Sequence, residues 1–103
     1  MTRQIVRAVV KAFVMTVRNA IRDAVWRRLA PPAISRLAAW FANLSEDQQV
    51  AILHAVVHQG DAGELRRNLA HAVTVFDDRL TPAARELLRR IDEFAAAHAP
   101  PAN

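Results

Sequence analysis

The sequence predicts an all-α fold, a small bundle of about five helices. Three observations carry that expectation. Ala supplies 21 of the 103 residues and Gly only two, a composition that favours helix. Apolar residues recur three and four apart and do not alternate, which is the helical period and not that of a strand. Capping residues stand ahead of the later apolar runs: Ser45 with Gln48, Asp61 with Glu64, and Thr81 followed by Pro82. A chain of 103 residues supports one domain with one modest core.

The first element reads as the longest. Val6, Val9, Val10, Phe13, Val14, Val17 and Ile21 fall on one arc of a helix over residues 3–29, closed by Pro31-Pro32. Such a helix would be about 40 Å long at 1.5 Å per residue. Beside the apolar arc lies a narrow stripe of Arg7, Lys11, Arg18 and Arg22. Asp23 is the only acid before Glu46, so the stripe has no carboxylate of its own to pair with. The proline pair divides the chain into a basic arm at 1–30, a compact bundle of four shorter helices at 32–98, and a frayed tail at 99–103.

Each bundle helix has a legible inner seam. Over 33–44 it is Ile34, Leu37, Ala38, Phe41 and Leu44, with Pro32 in the first turn. Trp26 and Trp40 would clamp the corner between arm and bundle. After Ser45 the seam is Val50, Ile52, Leu53, Val56 and Val57, with Gly60 as the closing residue. After Asp61 it is Leu65, Leu69, Ala72, Val73, Phe76 and Leu80. After Thr81 it is Ala84, Leu87, Leu88, Ile91, Phe94 and Ala95. Short loops between these elements predict antiparallel neighbours.

Charge is unevenly placed. Residues 1–45 carry eight Arg or Lys against one acid, while residues 46–103 carry six against nine acids. The N-terminal part therefore calls for an acidic partner, which the second half of the chain or of a twin copy would also provide. The absence of Cys excludes disulfides and thiolate metal sites. No stretch of 18 uninterrupted apolar residues exists, and Arg or Lys interrupts any secretory h-region, so a cytoplasmic location is expected. The acid-poor, Arg-rich N-terminus resembles a mitochondrial transit peptide, but it lacks Ser and its wide valine-rich arc belongs to a core helix.

Chemistry-bearing motifs are sparse. His54 and His58 stand four apart on one helical face, a spacing that suits an imidazole-bound metal. They point away from the apolar seam, a third donor would have to come from His71, Asp47, Asp61 or Glu64, and Asp47 lies too far along the helix from His54, so no metal and no cofactor is expected. The run Leu69-Ala70-His71-Ala72-Val73-Thr74 resembles the helix of histidine-phosphotransfer proteins, in which an exposed His accepts phosphate. Val73 and Thr74 stand where those proteins carry Lys and Gly. No Ser/His/Asp set or Gly-rich phosphate loop is present, so the expected function is non-enzymatic. The short Gly-containing turn between the third and fourth helices has the form of a helix-turn-helix. Its second helix, however, opens with Asp61 and Glu64, which oppose phosphate.

The expectation that emerges is a helical interaction or oligomerisation module. Its basic stripe would dock on an acidic protein surface or on a second copy. Because shorter helices cannot cover so long a first helix, a two-fold homodimer is expected, with Val9, Phe13 and Val17 near its contact. Nucleic acid and an anionic membrane surface are the alternative targets of the same stripe.

Overall fold

In a computed structural model of the chain, the first turn falls at Asp23 and not at Pro31-Pro32. The structure describes residues 3–59 and 61–98. Gly60, the tail at 99–103 and the side chain of Ile21 lie outside the described residues, and with them the expected closure of the third helix and the fraying of the tail. The described chain is all-α, with five helices and no strand. They are α1 (Arg3–Arg22), α2 (Ala24–Ala42), α3 (Glu46–Val57), α4 (Ala62–Phe76) and α5 (Pro82–His98), with a 3₁₀ turn at Asp77–Arg79 between the last two.

Asp23 is a single extended residue, φ −128° and ψ 127°, between two helices. Its carboxylate accepts a 2.8 Å hydrogen bond from the Val25 N–H, and so satisfies a donor that the start of α2 would leave orphaned. The prolines fall inside α2. Neither can donate the N–H that a helix would aim at the carbonyls of Arg27 and Arg28. The helix runs on because Ala30, Pro31, Ile34, Ala38 and Phe41 form its buried face.

The consequence is a hairpin of matched arms, 20 residues in α1 and 19 in α2. Val9, Phe13, Ile34 and Leu37 line one groove between the two, and Val9, Leu37 and Trp40 meet again one turn further on. A helix of this length spans roughly 30 Å, within the 35 Å length of the molecule. The overhang expected from the sequence therefore does not exist. Trp26 and Trp40 sit on the same helix, about 21 Å apart along its axis. They flank no corner and cannot clamp one.

Two consecutive pairs pack as neighbours, α1 on α2 and α4 on α5, but α3 does not pack mainly on α2 or α4. α1 and α5 each pack on α2, α3 and α4, so that the first and last helices share the middle of the bundle. α3 lies mainly against α1 and α5, so the turns before and after it lead the chain across the bundle. The core joins Val10, Phe13 and Val17 of α1 to Ile34, Phe41, Leu53, Val57, Leu69, Phe76, Leu88 and Ile91. Phe13 is 3% exposed and Val17 1%, while Val9 is half-buried. Phe13 and Val17, expected at a dimer contact, are core residues of the single chain.

The later caps are as the sequence predicts. Ser45 Oγ accepts from the Gln48 N–H while the Gln48 side chain accepts from the Ser45 N–H. Asp61 accepts from the Glu64 N–H and Thr81 from the Ala84 N–H. The fourth helix stops at Phe76, before the expected Leu80, and Val73 is exposed. Asp77 follows at φ 28°, an uncommon conformation for a residue with a Cβ. Arg85 of α5 donates to both its carbonyl and its carboxylate, which holds that turn in place.

Two stability measurements test this layout. Pro32 is exposed and inside a helix, so Pro32→Ala should restore a backbone bond at no loss of packing. A proline in a helix interior costs about 3 kcal/mol relative to Ala, and its stiffening of the unfolded chain returns up to about 1 kcal/mol. Urea denaturation should therefore show a gain of about 2 kcal/mol. A first-turn proline, as the sequence alone suggests, would show no gain.

Phe13→Ala should lower stability by about 3–5 kcal/mol, as for a large buried aromatic. The unfolding midpoint of wild type and variant should not depend on protein concentration. A midpoint that rises with concentration would place Phe13 at an interface between copies.

Candidate partner-binding surface

The basic stripe is formed as the sequence implies. Arg7, Lys11, Arg18 and Arg22 are all exposed on α1, beside its buried face. Arg7 to Arg22 spans about 22 Å along the axis. Met15 lies on the same side of the helix by the 100° rule and is 47% exposed.

None of the stripe's cations has an ion-pair partner among the described residues. The four ion pairs join Arg66 to Asp92, Arg85 to Asp77, and Arg89 to both Glu86 and Glu93. All lie between residues 66 and 93. Four of the nine acids of the second half are thus matched to arginines of that half, and none to α1 among the described residues. Hydrogen bonding from Arg89 holds the Glu86 carboxyl below the usual carboxylate range, and Asp92 raises the Arg66 guanidinium in the same manner. Arg90 is likewise engaged, donating to the Gln49 side chain at 2.8 Å and lying over the Phe41 ring.

One wall of a cleft of about 400 Å³ is the middle of the stripe. Lys11, Val14, Met15, Val17 and Arg18 face the end of α3 at Val56 and Val57, and the start of α4 at Asp61, Glu64 and Leu65. Cations and carboxylates thus rim the same cleft without closing to ion-pair distance. Asp61 and Glu64 are legible from sequence only as helix-capping residues. Their position opposite Lys11 and Arg18 follows from the packing of α4 on α1.

A second exposed feature was hidden by the misplaced turn. Val25 and Leu29 are 63% and 54% exposed, one turn apart on the outer side of α2, with Arg28 and Arg36 also exposed. Read as part of a helix ending at Pro31, these two residues gave no sign of forming a ridge.

The histidines form a surface stack. The rings of His54 and His58 lie 4.1 Å apart and nearly parallel. His54 meets Phe94 edge-on, and Phe94 stacks on His98 at 4.0 Å, so the series bridges α3 and α5. His58 Nδ1 donates to the His54 carbonyl at 2.9 Å. Among the described residues no three His, Asp or Glu side chains converge as a metal site would need. His71 is exposed on α4. No described helix is long and apolar enough to cross a membrane.

No protein-family model, curated protein or solved structure matches this chain. A functional reading therefore rests on the surface itself.

The ion-pair cluster makes one pH-dependent prediction. Glu86 has a depressed pKa in the folded state, so its contribution to stability is present above the ordinary carboxylate range. It is lost as the pH falls through the depressed value. A side-chain ¹³C NMR titration should show the Glu86 midpoint rising in Arg89→Ala. No change in that midpoint would mean that the pair does not form in solution.

Proposed function

We propose that this chain is a non-enzymatic interaction module whose basic α1 surface docks on an acidic surface of a partner protein. One observation carries the reading. Arg7, Lys11, Arg18 and Arg22 form one exposed stripe with no ion pair among the described residues, whereas Arg66, Arg85 and Arg89 of the second half pair with acids of that half, leaving Arg67 and Arg79 as its exposed arginines without an ion pair. Cations of like sign at Arg7 and Lys11, and at Arg18 and Arg22, repel by a few tenths of a kcal/mol each in an isolated helix. A partner carboxylate surface would relieve that repulsion and give the contact its orientation.

Protein is favoured over nucleic acid by the carboxylates across the cleft. A polyanion laid along the stripe would meet Asp61 and Glu64 beside Lys11 and Arg18. A protein surface can alternate its charges to suit both walls; a phosphate backbone cannot. Self-association through Val9, Phe13 and Val17 is not part of the reading, because burying Phe13 and Val17 against a second copy would require opening the core. A second copy remains one form that an acidic partner can take.

The test is sedimentation at low and physiological salt, with an acidic peptide whose Glu residues are interspersed with uncharged ones and with duplex DNA added separately. The peptide should associate at low salt, and Arg7→Ala and Arg18→Ala should each weaken it. DNA should not remain bound at physiological salt. DNA binding that persists there, weakened about equally by both substitutions on any sequence, would replace the protein reading with a nucleic-acid one.

A further inference from the structure

The cleft between α1 and α4 has two walls of opposite charge and an apolar floor. On one side stand Lys11 and Arg18, about 10 Å apart along α1. On the other stand Asp61 and Glu64 at the start of α4. By the helical period Val14 lies between them and Met15 on the outer side of the cations, with the buried Val17 and Val57 beneath Val14. Its volume of about 400 Å³ is at the lower end of ligand pockets, large enough for a few side chains of a docked segment.

We infer that this cleft receives an amphipathic helical peptide of mixed charge, presenting acid to α1, base to α4 and one apolar side chain to Val14 between them. The inference rests on the docking reading above and narrows its partner. A uniformly acidic segment would satisfy Lys11 and Arg18 but place its own carboxylates against Asp61 and Glu64. A purely apolar segment would cover four charged groups and pair none of them, which burial penalises. Only a segment with both signs, on either side of an apolar residue, matches both walls. Residues three and four apart on a helix supply that arrangement on one face. Asp61 also caps α4, which holds one carboxylate of the wall in place.

The probes are two fluorescent Ala-rich helical peptides, read by anisotropy against the full chain. In the mixed peptide a Leu is flanked by Glu on one side and Lys on the other. In the acidic peptide every Lys is replaced by Glu. Wild type should bind the mixed peptide about tenfold more tightly, the scale of a few rim charge pairs changing from attraction to repulsion. Glu64→Lys should remove or reverse that preference, and Glu64→Gln should reduce it while altering the start of α4 less. Circular dichroism of both variants should match wild type. If the acidic peptide binds wild type as tightly as the mixed one, and Arg18→Ala weakens both, the cleft proposal is overturned and the docking reading stands. If neither peptide binds at the highest soluble concentration, both are overturned.

Discussion

A hydrogen bond from the Val25 N–H to the Asp23 carboxylate fixes where the first helix ends, and the remaining layout depends on that position. Asp23 interrupts the helix at one residue only. Its own N–H still reaches the Asn19 carbonyl, and its carbonyl still accepts from Arg27. The chain thus reverses at almost no loss of backbone hydrogen bonding. Reversal at Asp23 divides the stretch from Arg3 to Ala42 into two arms of nearly equal length, so Val10, Phe13 and Val17 find Ile34 and Phe41 within the same hairpin. Reversal at Pro31 would leave a long first arm and a short second one, with much of the apolar arc of α1 uncovered. Burial of large apolar side chains contributes about 1.5–3 kcal/mol each, so covering several of them outweighs the roughly 3 kcal/mol of each of the two interior prolines.

The same geometry explains the division of charge. α4 and α5 pack on each other, which brings Arg66 of one to Asp92 of the other. Within α5, Glu86, Arg89 and Glu93 stand at i, i+3 and i+7 on one side of the helix, so Arg89 reaches both acids. No such arrangement is open to α1, which has no acid of its own. Its neighbour α4 offers Asp61 and Glu64 near it, but Asp61 is engaged at the α4 N-terminus and the two walls remain apart. The uneven charge of the sequence is therefore retained in the fold, on the exposed sides of α1 and α2.

What the sequence revealed depended on how local the cause was. Ser45, Asp61 and Thr81 act on N–H groups three residues away, and each cap forms as its motif implies. The buried sets Leu65, Leu69, Ala72, Phe76 and Ala84, Leu87, Leu88, Ile91 follow from periodicity alone. The Asp23 turn did not, because two rules competed: proline stops helices, and an aspartate starts them. The stronger breaker by propensity was overridden by tertiary packing on α1. The stripe of Arg7, Lys11, Arg18 and Arg22 was legible because it needs only the helical period. Its exposure follows from the same arithmetic, since it lies beside and not within the apolar arc. The cleft was not legible, because the wall formed by Asp61 and Glu64 lies three helices further along the chain and meets the stripe only through packing.

That separation in sequence bears on how the cleft works. Lys11 and Arg18 belong to the hairpin, whereas Asp61 and Glu64 belong to the start of α4. Beneath them Val17, Val57 and Leu65 pack with the core and Asp61 is fixed by its cap, while Lys11 and Arg18 are exposed to solvent. Long cationic side chains can turn either to a partner or across the cleft, and an ion pair exposed to water would contribute little in the latter case. Leaving the two walls unpaired therefore costs the free protein little, while any segment that bridges them gains contacts on both sides. The opposed charges are better understood as a condition on what can dock than as a missing internal bond.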